Sequence, residues 1–224
     1  MKVSPTKTIR VLLVEDHILV RQGTKAVIEG DQAIKVVGET DTADEAVRLV
    51  DQLGPDVVLL DIRLRGGTGI EVARALQRKH SPTKVLVVTA YDHEQYVSAL
   101  ARAGVSGYVL KDTPVAELVK AIHEVHEGRA VLGGNIAATL LRTLSRGQKP
   151  ESEPAPSDLT FREIEVLEMV QHGLNTPDIA RKMGLSKRTV ETFLARVSEK
   201  LGASSRQEAV GIAIHRGLIK AARP

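Results

Sequence analysis

Five short runs, 9–14, 34–38, 57–60, 85–89 and 107–110, are almost continuously apolar and rich in β-branched residues, and each is followed by an amphipathic stretch of helical length. A strand with apolar side chains on successive positions is buried on both faces, which requires helices on both sides of its sheet. Five strand-then-helix repeats therefore predict an α/β fold, a doubly wound five-stranded parallel sheet, over residues 1–130. The punctuation agrees. Gly54-Pro55 stops the helical stretch begun at Ala43, Ser81-Pro82 follows the one begun at Gly69, and Thr113-Pro114 opens the last.

The ends of these strands carry the chemistry. Glu15 and Asp16 follow the first run, Asp61 follows the third, Thr89 ends the fourth and Lys111 follows the fifth. Open α/β sheets bind ligands outside the carboxyl ends of their strands, and carboxylates gathered there repel one another unless a hard cation such as Mg²⁺ joins them. A carboxylate screened in this way can attack a phosphoryl group. Asp61 is the expected nucleophile, with Glu15 and Asp16 on the metal. Lys111 is expected to pair with one phosphoryl oxygen and the Thr89 hydroxyl to bond another. Taken singly, each is an ordinary loop residue; in register at consecutive strand ends they form a set.

Residues 145–157 lack periodicity and hold Pro150, Pro154 and Pro156, so 131–157 reads as a semi-rigid linker with a short helix at about 134–144. Beyond it strand signals vanish. Thr160-Phe-Arg-Glu163 and Ser205-Arg-Gln-Glu208 read as capping boxes, Asn175 and Ser186 as further caps, and Gly184 as a tight turn between the second and third helices. Residues 158–224 thus predict a small all-α four-helix domain containing a helix-turn-helix. The charge agrees: residues 1–130 hold 17 Lys and Arg against 18 Asp and Glu, net −1, whereas residues 181–224 hold 10 against 3, net +7. On the third helix Lys187, Arg188, Glu191, Thr192, Ala195 and Arg196 lie opposite an apolar stripe of Val190, Leu194, Val197 and Leu201. Glu191 and Thr192 are placed to read base edges of double-stranded DNA, with Thr189 beside them, while Arg188, Arg196 and Lys200 reach phosphates.

With these motifs in order, the chain resembles the NarL/FixJ class of two-component response regulators over nearly its whole length. The receiver likeness rests on Val14-Glu15-Asp16-His17, Leu60-Asp61, Gly69, Thr89-Ala90 and Gly107-Tyr108-Val-Leu-Lys111. The LuxR-type likeness rests on Leu159-Thr160, Arg162-Glu163, Glu165-Val-Leu167, Ile179-Ala180, Leu185-Ser186, Arg188-Thr-Val-Glu191 and Lys200-Leu-Gly202. The resemblance implies a flavodoxin-like strand order 2-1-3-4-5, a phosphoryl group passed from a sensor histidine kinase to Asp61 with Mg²⁺, and the backbone carbonyl of Arg63 as a further metal ligand. It also implies that Tyr108 moves inward when Thr89 is drawn to the phosphoryl group. Arg65 and Asp112 stand where relatives commonly place prolines. Phe193 replaces a frequent His, and Arg63 and Tyr91 hold positions that tune phosphorylation lifetime.

The expected protein is a phosphorylation-controlled transcriptional regulator, not a turnover enzyme. An aspartyl-phosphate hydrolase is the rival, but such enzymes place Asp-x-Asp after the first strand. A regulator indifferent to phosphorylation is disfavoured by the intact quintet. Val210, Ile214 and Leu218 form an apolar strip expected to support a homodimer on a two-fold repeated site when phosphorylated. The resemblance also implies control through occlusion of the recognition helix by the unphosphorylated receiver, with activation by dimerisation alone as the rival. No cysteine, no signal-peptide core in the first ten residues and no stretch of membrane-spanning length lead us to expect a cytoplasmic protein with no membrane contact.

Overall fold

The computed structural model describes residues 8–90, 94–145, 159–216 and 218–219, and these fall in two compact units, Met1–Gly147 and Gln148–Pro224. Tyr91, the three linker prolines and Gly217 lie outside the described residues. Among the described residues no helix is long and apolar enough to cross a membrane.

The first unit is built on strands β1 (Ile9–Val14), β2 (Ile34–Thr40), β3 (Val57–Leu60), β6 (Lys84–Thr89), β7 (Gly107–Leu110) and β8 (Val131–Leu132). They form one parallel sheet in the order β2-β1-β3-β6-β7-β8. Its first five strands follow the predicted 2-1-3-4-5 order. The sixth is an addition. Two residues of β8 pair with Gly107 and Tyr108, and Gly133 donates to the Tyr108 carbonyl, so the edge beyond β7 is covered.

Helices α1 (Ile18–Ile28), α2 (Ala43–Leu53), α3 (Gly69–Arg78), α4 (Glu94–Arg102) and α5 (Val115–His126) follow the strands. Ile28 of α1 and Leu118, Ala121, Ile122 and Val125 of α5 pack with Val11, Leu13, Val57, Leu59 and Leu86. The alternates Leu12, Val14, Val58 and Leu60 are equally buried, which is why the strand sequences carry no polar alternation. Thr68 and Glu71 form a reciprocal capping box that starts α3.

A short antiparallel hairpin, β4 (Arg63–Leu64) and β5 (Gly67–Thr68), occupies the connection between β3 and α3. Its turn needs Gly66, at φ +70°, a conformation that L side chains rarely adopt. Arg65 fastens it to the loop after β2: its N–H donates to the Asp41 carbonyl and its guanidinium lies 3.3 Å from the Asp41 carboxylate.

Helix α6 (Gly134–Ser145) packs on α4 and buries Ile136 and Thr139. The first unit therefore runs past residue 130, because β8 and α6 belong to it by packing.

The second unit holds α7 (Phe161–Gln171), α8 (Thr176–Met183), α9 (Lys187–Leu201) and α10 (Arg206–His215). The Thr160–Glu163 box is reciprocal, and Asn175 and Ser186 cap α8 and α9. The second expected box is only half formed. Ser205 accepts from the Glu208 N–H, but Glu208 turns its carboxylate to the backbone N–H and hydroxyl of Ser204 instead. Those bonds hold the Glu208 carboxyl below its ordinary value. Gly184, at φ +64°, closes α8 and makes the tight turn into α9.

Candidate functional site

Hydrogen bonds at the strand ends converge the side chains named from sequence. Glu15 donates its backbone N–H to the Thr40 carbonyl, Asp61 to that of Val14, and Lys111 to that of Thr89. Each residue thus inherits its position from a neighbouring buried strand. Asp61 is 3 % exposed and Thr89 fully buried.

The Lys111 ammonium bridges two acids, 2.7 Å from Asp61 Oδ2 and 2.6 Å from Glu15 Oε2. Asp61 Oδ1 accepts the Ile62 N–H at 2.7 Å. Burial, and then the charge of Asp61, pushes the Glu15 carboxyl above its ordinary value despite the bond from Lys111. Burial works against the Lys111 ammonium, but the two carboxylates outweigh it and hold its pKa above the lysine norm. One cation held between two buried acids leaves a net negative pocket.

Ligand atoms of Glu15, Asp16, His17 and Asp61 all lie within 4.8 Å of one another. Asp16 Oδ1 is buried and accepts no hydrogen bond. An orphaned carboxylate oxygen in an oxygen-rich cluster fits a divalent cation. Arg63, whose carbonyl was expected to join the set, opens β4 two residues beyond Asp61. Ala90, after Thr89, is exposed and small. Tyr108 is already buried, with β8 paired along its strand.

In the second unit, Lys187, Arg188, Glu191, Thr192, Ala195 and Arg196 are exposed on α9, while Val190, Leu194, Val197 and Leu201 are buried. Two hydroxyls are engaged by the helix itself: Thr192 donates to the Arg188 carbonyl and Thr189 pairs with the Ser186 cap. Phe193 packs against the buried cluster of α7 and α8.

Lys200 departs from expectation. Its ammonium lies 2.7 Å from Glu163 Oε2, which is almost wholly buried and also accepts the Thr160 N–H. The charge expected to reach a phosphate is held against α7, because a buried carboxylate needs a partner cation. Val210, Ile214 and Leu218 are partly buried against the domain's own core, so the expected apolar strip is half covered. Sequence reasoning quoted His17 only as part of a motif and missed the Arg65–Asp41 tie; adjacency to the acid pair was the signal for the first, and the second had none.

The family model for the response regulator receiver domain matches residues 11–123, and that for bacterial regulatory proteins of the luxR family matches residues 157–213. The transcriptional regulatory protein YxjL of Bacillus subtilis is 36 % identical, the match covering 95 % of this chain and 98 % of that protein. The DNA-binding transcriptional activator DevR/DosR of Mycobacterium tuberculosis is also 36 % identical, over 96 % of this chain and 97 % of its own. Among solved structures, the response regulator ChrA of a heme-sensing two-component system is 35 % identical with a TM-score of 0.53, covering 95 % of this chain and all of that one.

Proposed function

The chain belongs to the two-component response regulators that join a receiver domain to a LuxR-type DNA-binding domain, and from that premise we propose that Asp61 is its phosphoacceptor. The observation that carries this is the Lys111 ammonium on Asp61 Oδ2, inside a cluster of acids with an orphaned oxygen. Glu15, Asp16, Asp61 and the Arg63 carbonyl would hold Mg²⁺, which when bound neutralises charge on the incoming phosphoryl group. A bond forms between an Asp61 oxygen and phosphorus while the phosphorus–nitrogen bond of a kinase phosphohistidine breaks, and the freed imidazole takes a proton. Lys111 then exchanges a carboxylate partner for a phosphoryl oxygen, and Thr89, on the adjacent strand end, supplies a hydroxyl donor.

On this reading Thr89 and Tyr108 are the switch residues, and the output is double-stranded DNA bound through α9. Lys187, Arg188, Thr189, Glu191, Thr192, Ala195 and Arg196 form the reading face. The exposed remainder of Val210, Ile214 and Leu218 supports a homodimer on a two-fold site, and the protein works in the cytoplasm with a sensor histidine kinase. Incubation with a small phosphodonor, followed by mass spectrometry, tests the central assignment. Wild type gains one phosphoryl group in Mg²⁺ and none when chelator is present from the start, whereas Asp61→Asn gains none in either; full labelling of Asp61→Asn overturns it.

A further inference from the structure

A nitrogen stands among the oxygens of the acid cluster. His17 Nδ1 lies 2.8 Å from Asp16 Oδ1 and 3.3 Å from Glu15 Oε1. Packing does not explain this placement, since the His17 side chain is 63 % exposed. Its backbone does: His17 is the N-cap of α1 in an extended conformation, and its own N–H donates to Glu15 Oε1 at 3.0 Å. That bond pins the residue over the acid pair. Lys111 occupies the opposite Glu15 oxygen, Oε2, while Oε1 takes both the His17 N–H and a hydrogen-bond contact with the ring Nδ1. The approach to Asp16 is a close contact without hydrogen-bond geometry, for Asp16 Oδ1 has no partner.

Two atoms bound side by side to one cation, each at about 2.1 Å, stand about 3.0 Å apart in octahedral and about 3.4 Å apart in tetrahedral coordination. The two His17 separations, 2.8 and 3.3 Å, lie near these values, so a small outward shift of the ring from its hydrogen bond with Glu15 would seat a cation among the three groups. We propose that His17 is a metal-ligating residue of this pocket, whose imidazole lets it take a borderline divalent cation such as Co²⁺ or Zn²⁺ more tightly than the carboxylates alone would. Oxygen donors suit Mg²⁺, whereas imidazole adds affinity for the later divalent metals and little for Mg²⁺. His17 thereby sets which cation supports the phosphoacceptor, and it widens the choice beyond Mg²⁺. This rests on reading the pocket as a divalent-cation site.

The competing explanation is an imidazolium that merely pairs with the acids. The two differ in sign: a ligand adds affinity for Co²⁺, whereas an ion-pair partner competes with every cation. Calorimetric titration of the full chain with Co²⁺ alone and with Mg²⁺ alone, for wild type and His17→Ala, separates them. Because the chain has seven histidines, only Co²⁺ displaced by Mg²⁺ is counted, read by the visible absorption of the Co²⁺ complex. The expected result is a loss of about tenfold or more in Co²⁺ affinity with Mg²⁺ affinity changed less than about threefold. Equal losses for both metals, no loss, or tighter binding of both by the variant overturns the assignment of His17. If Mg²⁺ displaces no Co²⁺ from wild type, or Asp61→Asn leaves Mg²⁺ binding unaltered, the pocket itself is misread and this inference falls with it. A thermal unfolding midpoint for His17→Ala equal to wild type shows that the variant is folded, as its exposure leads us to expect.

Discussion

The backbone carbonyl oxygen of Asp61 stands 2.2 Å from the point that a Cβ on Gly69 would occupy. Real Cβ atoms essentially never approach another atom closer than 3.0 Å, and the obstacle here is main chain, which cannot rotate aside. Gly69 also donates its N–H to the Ile62 carbonyl, so the first residue of α3 closes the loop that carries Asp61. Gly69→Ala must displace that loop. We expect a loss of about 1–3 kcal/mol in unfolding free energy and phosphoryl labelling slowed well beyond what that loss explains. A variant with wild-type stability and labelling would show that the loop gives without cost.

Lys200 and Glu163 tie α9 to α7 across the core of the second unit. Removing one partner of a buried pair leaves the other unpaired, at a cost of several kcal/mol; with Lys200 partly exposed we expect about 3 kcal/mol for Lys200→Met. A surface phosphate contact behaves differently. Arg188→Ala and Arg196→Ala should each lower the slope of log affinity against log salt by about one while leaving stability almost unchanged. Lys200→Met should do the reverse. If denaturant titration shows no loss for Lys200→Met and its salt slope falls by one, Lys200 belongs with the DNA contacts.

The connection after α1 meets α5 through Asp31, whose carboxylate lies 2.9 Å from His123 Nε2. The hydrogen bond from His123, and then that from the Ala33 N–H, holds the Asp31 carboxyl below its ordinary value. A carboxyl depressed in the folded state stabilises the fold above its unfolded value, about 3.9, and that contribution disappears as pH falls through the lower folded value. Asp31→Asn should therefore unfold at a lower temperature than wild type at pH 5, and the gap should close as the solution is acidified below about pH 4. A gap that is constant or widens across that range would deny the linkage.

What could be read from sequence follows from what repeats. The buried strands announce themselves because both faces are covered, so Val11–Val14 and Val57–Leu60 carry no polar residue, and the site residues follow from where those strands stop. The β4–β5 hairpin was not legible. Arg63 to Thr68 is too short for periodicity, and its tie to Asp41 is a contact across twenty-four positions. The Lys200–Glu163 pair was not legible for a different reason: helical spacing puts a residue on a face but does not say whether a buried acid waits there. Glu163 looked like the third-position member of a capping box and is one, yet the same oxygen that accepts the Thr160 N–H also holds the lysine.

The short segment after α5 offers the last test, because a linker and a structural element answer a core mutation differently. Residues 131–145 carry only two strand positions and one helix, a composition that sequence alone assigns to a connector. In the fold, β8 extends the sheet beside Tyr108 and α6 lies on α4, where Tyr96, Ala99 and Leu100 are buried, and Ile136 is fully enclosed. Truncating a buried Ile to Ala removes its transfer free energy and leaves a cavity, about 2–4 kcal/mol, whereas a substitution on an exposed connector stays within about 0.5 kcal/mol. Ile136→Ala in the full chain should therefore lower the midpoint of the first unit's unfolding transition and leave that of the second unit in place. Differential scanning calorimetry, with tryptic digestion to show which unit opens first, reads both. An Ile136→Ala chain whose first transition does not move would return residues 131–145 to the linker and leave the β7 edge to be closed by something else.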